Sequence, residues 1–195
     1  MERTLLGEAQ HSVIERSIAD VNHLTGNTAE VGVYMGGVSK FIANHLPHKK
    51  HYCFDTFTGI PNAQIGIDSD LRNGEFFCPS IKEVISYLSA STNIVICQGY
   101  FPKTAIDIKD KFCLVHIDGD THQTTKDSLE FFYPKMVVGG LLIFDDWHGP
   151  RCLGVAKAIT KFMVNKPEQI VTSVPASLGG QCIIKKSINV SKFFL

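Results

Sequence analysis

The sequence predicts an α/β fold on a mostly parallel sheet with helices on both faces, and three observations carry that prediction. Apolar runs of strand length alternate with stretches of helical spacing along most of the chain. The clearest unit is residues 111–148, where FCLVHI and GGLLIF flank a helical stretch, and a crossover of that kind makes two strands parallel. Only the C-terminal end departs: QIVTSV and GQCIIKKS, separated by PASLGG, read as an antiparallel hairpin.

Residues 7–24 place Ala9, Val13, Ile14, Ile18, Val21 and Leu24 on one side of an amphipathic helix, which LTGNT breaks. AEVGVYM is the first strand, and Gly36 and Gly37 turn into the helix VSKFIANHL, ended by Pro47. HYCFDTF is the second strand and finishes at Asp55. The polar segment 57–80 is too long for an ordinary connection and reads as a lid loop. IKEVISYLSA is a helix, NIVICQGY the third strand and FPKTAIDIKD a connector with one helical turn. Strand 112–117, helix 122–135, strand 140–145 and the helix CLGVAKAITKFM follow before the closing hairpin. No repeat, low-complexity tract or linker interrupts this, so residues 1–195 are expected to form one domain, opened by an N-terminal helix within 1–24.

A chain of 195 residues with 44% hydrophobic and 19% charged content can bury a real core. Its 19 basic and 19 acidic residues cancel, so neither nucleic acid nor an anionic membrane is an expected partner. The six cysteines form no CxxC pair and three lie in apolar runs, which predicts buried free thiols in a reducing compartment. Without a signal-peptide pattern or a run of ~20 apolar residues, the expected location is cytoplasmic. Binding must come from a local site.

Two strands of the 111–148 unit stop at acid, Asp118 and Asp120 after the first, Asp145 and Asp146 after the second. Four carboxylates at one edge repel each other unless a cation or protons compensate them, and that edge is where open α/β sheets bind ligands. The pattern points to a divalent-metal and proton-transfer site. The first strand-to-helix turn, EVGVYMGGVS at 30–39, offers a second site. Gly32 would let a ligand approach the strand end, and Gly36 and Gly37 allow a turn that aims backbone amides at a carboxylate or phosphate. Its G-x-x-x-G-G spacing matches neither dinucleotide nor P-loop patterns, and a purely structural turn stays open. Glu30 would repel a pyrophosphate and attract an ammonium group, while Asp55 stands where an acid accepts ribose hydroxyls. An amino acid joined to a nucleoside satisfies both, and S-adenosylmethionine is such a molecule.

Taken together, EVGVYMGGVS, FDTFTGIP at 54–61, GYFPKT at 99–104, HIDGDTHQTTKDSLE at 116–130 and FDDWHG at 144–149 resemble the macrocin O-methyltransferase family over residues 25–164. The resemblance implies a Rossmann-like class I methyltransferase fold, with seven mostly parallel strands and an antiparallel last strand. It implies S-adenosylmethionine held by Glu30, by Gly32, Tyr34, Gly36, Gly37 and Ser39 of the turn, and by Asp55. Gly99 and Tyr100 would lie near the adenine, with Asp118 bordering the cofactor. Mg2+ would be bound by Asp118, Asp145 and Asp146, and Asp120 would be the general base. The acceptor would be a small molecule, a sugar or other vicinal diol, and assembly into a homo-oligomer is expected on the same ground. The chain departs from the usual pattern at His122 and Trp147, where relatives carry tyrosine.

Among the histidines, His116 inside an apolar strand reads as a hydrogen-bonded core residue. His122 and His148 flank the acidic tips, where imidazole titrates in a useful range; Asp120 ranks first as base, and His122 stays a second catalytic candidate. His11, His23, His45, His48 and His51 are read as solvated. Two rival functions share these residues: a metal-dependent hydrolase or phosphatase, against which Glu30 argues, and a cofactor-binding but inactive regulatory module.

Overall fold

The structure is a computed structural model in which residues 3–61, 63–64, 66–68, 71–78 and 80–188 are described. Five positions of the expected lid (62, 65, 69, 70 and 79) lie outside the described residues. In chain order the elements are α1 (Glu8–Val21), β1 (Asn27–Val31), α2 (Gly37–His45), β2 (His51–Asp55), α3 (Ile81–Leu88), β3 (Ile94–Gln98), β4 (Phe112–Ile117), α4 (His122–Phe132), β5 (Met136–Asp145), α5 (Leu153–Met163), β6 (Ile170–Val174) and β7 (Gln181–Lys185). The strands form one sheet in the order β3-β2-β1-β4-β5-β7-β6. β7 alone runs antiparallel to both of its neighbours, as the resemblance implies.

The elements follow from local chemistry. α4 is capped by Thr121, whose hydroxyl accepts the amide of Thr124, and α3 by Ser80, which accepts from Glu83. β4 reads FCLVHI and every residue of it is buried, as a central parallel strand covered on both faces requires. On one face Phe54, Phe101, Phe112 and Phe132 pack with α4 and α5 residues such as Leu129 and Ile159. On the other, Ile14, Ile18 and Val21 of α1 and Ile42 of α2 meet Leu114 and Ile143, while Val84 and Leu88 of α3 meet Cys53. All six cysteines are free, and five are buried. Among the described residues no helix is long and apolar enough to cross a membrane.

Several expected boundaries shift. β1 stops at Val31 rather than at residue 35, because Gly32 adopts φ +87° and leaves the strand. β5 begins at Met136, four residues early, where it pairs with Phe112 before a register shift next to Gly139 and Gly140. α4 ends at Phe132, and Tyr133–Lys135 is a separate 3-10 turn with Pro134 inside it. The connector after β3 supplies a single 3-10 turn, Lys103–Ala105. His51 is not solvated as read: it opens β2 fully buried, with Nδ1 2.8 Å from the Thr28 hydroxyl.

The segment after β2 is a built loop rather than a slack connection. Ile60 donates to the Glu75 carbonyl at 2.8 Å and Gly74 to the Ile60 carbonyl at 2.9 Å, so the segment closes on itself at a narrow neck. Gly59 is required at this neck, since a Cβ there would lie 2.5 Å from the Gly74 carbonyl oxygen. Ile60 and Leu71 join the main core beneath it.

Candidate active site

The carboxyl ends of β1, β2, β4 and β5 share one edge, and a cleft opens there. Six of the residues singled out around the glycine turn line it: Glu30, Gly32, Tyr34, Gly37, Asp55 and Gly99. So do all four acids, Asp118, Asp120, Asp145 and Asp146. Gly36, Ser39, Tyr100 and His122 are not part of the lining.

The turn is held from β2. Asp55 Oδ2 accepts the amides of Val33 at 2.7 Å and Tyr34 at 2.8 Å, and its Oδ1 accepts the amide of Phe57 at 2.7 Å. One carboxylate thus fixes the turn after β1 and the start of the loop together. Gly32 has a different reason than ligand approach. A Cβ there would lie 1.9 Å from the Asp118 carbonyl oxygen, so glycine lets the ends of β1 and β4 touch. Gly36, the N-cap of α2, has φ +86°, which only glycine adopts freely.

Beneath the cleft runs a row of buried polar groups. The thiol of Cys53 donates to Ser39 Oγ at 3.1 Å, and the Ser39 hydroxyl donates to Glu30 Oε2. His116 Nδ1 lies 2.9 Å from Glu30 Oε1, and its Nε2 lies 3.0 Å from Asp145 Oδ2. Gln181 Nε2 donates to Asp145 Oδ1 at 2.6 Å. Strand register makes the row: Cys53 and His116 both stand beside Glu30, and Gln181 beside Asp145. Burial alone would lower the His116 pKa, but Asp145 and Glu30 outweigh it and hold the ring well above its usual value. His116 is therefore the hydrogen-bonded core histidine expected, with two acids as partners.

The four acids sort into two groups whose ligand atoms lie within 4.8 Å of one another: Asp118 and Asp145 with His116, and Asp120 and Asp146 with Cys152. Cys152 Sγ stands 3.8 Å from Asp120 Oδ1. Burial, then the neighbouring acids, push Asp118 and Asp120 well above the usual carboxylate range, and Asp146 rises for the same reasons. Asp120 and Asp146 both sit at positive φ, 58° each, which turns their side chains off the strand ends.

His122 opens α4 with its amide donating to Asp68 of the loop, and its Cβ lies against Gly154. Trp147 is buried with its indole N–H donating to Thr172 Oγ1 at 3.0 Å, and His148 is exposed beside it. Three groups in or beside the cleft were given no role by sequence reasoning. Cys152 reaches the acids only through the fold of the loop before α5. Phe76 and Pro61 come from the self-closed loop, and Arg3–Leu6 come from the segment before α1, where the Gly37 amide donates to the Arg3 carbonyl at 3.2 Å. Pro61 closes the motif FDTFTGIP and Phe76 lies in the expected lid, but neither was assigned to the site; Cys152 and Arg3–Leu6 lie in no motif, and only the folded chain brings them near the acids.

Comparison with known proteins points one way. The model of the family described as macrocin-O-methyltransferase (TylF) matches residues 1–174. Demethyldecarbamoylnovobiocin O-methyltransferase of Streptomyces niveus is 27% identical over 162 residues, 74% of this chain and 62% of that protein. The 8-demethyl-8-(2,3-dimethoxy-alpha-L-rhamnosyl)-tetracenomycin-C 4'-O-methyltransferase of Streptomyces olivaceus is 27% identical over 158 residues, 71% of this chain and 59% of that protein. The chain thus spans about three fifths of the length of these curated relatives. The structure of the O-methyltransferase NovP superposes with a TM-score of 0.78 at 20% identity, over 95% of this chain and 83% of that one, which shows a shared fold.

Proposed function

The chain belongs to the macrocin O-methyltransferase family, and from that membership we propose that it is an S-adenosylmethionine- and Mg2+-dependent O-methyltransferase acting on a small-molecule hydroxyl, a sugar's or another vicinal diol's. The observation that carries the reading is the meeting, in one cleft, of Glu30, the turn held by Asp55 and the four acids. The names of two relatives, both O-methyltransferases and one for a rhamnosyl compound, support a sugar acceptor.

When bound, S-adenosylmethionine supplies an electrophilic methyl group and Mg2+ a hard Lewis acid for neighbouring substrate oxygens. The donor types suit both, although Asp146 groups with Asp120 and Cys152 rather than with Asp118 and Asp145. Glu30 gives the amino-acid end of the donor an anionic partner, and Asp55 keeps the turn open at the β1 end. Burial, then the neighbouring acids, raises the pKa values of Asp118, Asp120 and Asp146, a crowding that a divalent cation relieves, and Asp118, Asp145 and Asp146 would hold it. Asp120 takes the acceptor's proton: it lines the cleft, and burial with Asp146 beside it raises its affinity for a proton. His122 lies outside the lining, so proton transfer rests on Asp120. Phe76 and Arg3–Leu6 line the same cleft and would limit water around the reacting groups once both ligands are bound.

The test is a methyl-transfer assay with labelled S-adenosylmethionine on a panel of sugars, nucleotide sugars and catechols, with and without chelator. Transfer to a diol that chelation abolishes and D120N slows by about 10²–10⁴-fold is the expected result. Full activity in chelator would sink the metal role, and labelled product from no acceptor would favour an inactive binding module.

A further inference from the structure

His116 contributes nothing to the lining of the cleft, yet both of its ring nitrogens are spent on acids that do line it. It is fully buried in β4, 2.9 Å from Glu30 Oε1 on β1 and 3.0 Å from Asp145 Oδ2 on β5. Each carboxylate is also gripped at its other oxygen, Glu30 by Ser39 of α2 and Asp145 by Gln181 of β7. A carboxylate oxygen has two acceptor positions, so these bonds fix orientation and leave capacity toward the cleft. An apolar residue would fill the same volume in the core. It could not offer a polar partner to both of these acids, which are buried between packed strands. The geometry therefore couples what each half of the cleft presents to a ligand.

We propose that His116 is a positioning residue for two ligands at once, orienting Glu30 for the amino group of the methyl donor and Asp145 for the divalent cation without touching either. The inference rests on the proposed reading of the cleft as a donor and metal site. Hydrogen-bond partners of metal-binding carboxylates set ligand affinity, and their loss weakens binding roughly 10–100-fold. His116 has such a partner on each side, whereas Ser39 serves only Glu30 and Gln181 only Asp145.

The experiment measures S-adenosylhomocysteine by calorimetry and Mn2+ by electron paramagnetic resonance in the wild-type chain and three variants. H116N weakens both ligands by about tenfold or more. S39A weakens S-adenosylhomocysteine alone, and Q181A weakens Mn2+ alone. A second readout needs no variant: in 15N-histidine-labelled wild type, His116 Nδ1, assigned through contacts with Val115 and Ile117, shifts on adding S-adenosylhomocysteine and Nε2 shifts on adding Mg2+. A merely structural histidine moves neither signal selectively, and if H116N does not fold this response decides. Wild-type binding of both ligands with H116N within twofold, or with silent ring nitrogens, overturns the inference and leaves the functional reading standing. Wild type that binds neither ligand overturns both.

Discussion

The backbone amide of His122 donates a 2.7 Å hydrogen bond to Oδ1 of Asp68, a fully buried acid carried by the loop between β2 and α3. Oδ2 of the same side chain accepts the amide of Gln64 at 2.9 Å, so one carboxylate joins the loop's own turn to the first residue of α4, two residues from Asp120.

Replacing Asp68 with Ala strands a buried amide and should cost about 1–3 kcal/mol in urea unfolding, with faster proteolytic nicking inside the loop. Gly154→Ala should copy it, because a Cβ there would lie 2.0 Å from Asp68 Oδ1 and expel it. Divergent behaviour of the two variants would show that Asp68 does not anchor the loop.

Gly32→Ala places a methyl group 1.9 Å from the Asp118 carbonyl oxygen, in backbone at φ +87°. Both obstacles are main chain and no side chain can rotate away. A destabilisation of about 3 kcal/mol or more is expected by thermal or chemical denaturation. A melting temperature equal to wild type would contradict the close approach of β1 and β4.

Asp55→Ala removes the acceptor of two backbone amides that set the turn after β1 and of the Phe57 amide that opens the following loop. Affinity for S-adenosylhomocysteine, read by calorimetry, should fall by tenfold to about a hundredfold. Unchanged affinity would count against the assignment of this turn to the donor.

Glu168 accepts from the Tyr133 hydroxyl at 2.5 Å, from Lys186 at 2.9 Å and from Ser187. Burial alone would raise its pKa; these bonds reverse that and bring it to about 2 from 4.5. A depressed carboxylate stabilises the fold above its unfolded pKa and loses that contribution as pH falls from about 4.5 toward 2, here about 3 kcal/mol in all. His51, kept neutral by burial with a pKa of about 3, works in the same direction from pH 6.5 downward. Urea midpoints across pH 2–7 should flatten below pH 4.5 in E168Q and keep the His51 part of the slope; an unaltered acid limb would refute the Glu168 share.

The strand–helix–strand unit and its acidic ends were legible because hydrophobic periodicity is local: FCLVHI and GGLLIF announce strands whatever surrounds them. The acids' shared edge followed from the parallel pair of strands that one crossover makes. His116 was legible as a core residue, but not its partners, since Glu30 and Asp145 meet it through the register of three strands far apart in sequence. Gly32 was visible as special for a reason the sequence could not supply, because the obstacle is the main chain of Asp118, 86 residues on. Cys152 gave no signal at all: a lone cysteine after Arg151 becomes notable only when α5 brings it to Asp120. His51 was read as solvated although the second strand, HYCFDTF, begins on it; its burial depends on Thr28 of the neighbouring strand, 23 residues earlier, which nothing local reveals.

The neck at Ile60, Gly74 and Glu75 makes the loop an interchangeable cassette. Its two ends are already joined by main-chain bonds, so a longer or shorter insert adds little closure entropy, about 0.6 kcal/mol for each doubling of length. The row from Cys53 to Gln181 has no such freedom, since each link is shared by two strands or by a strand and a helix. Transplanting a foreign loop that keeps Gly59, Ile60, Asp68 and Leu71 should therefore retune which molecules enter the cleft while the groups beneath it keep their places.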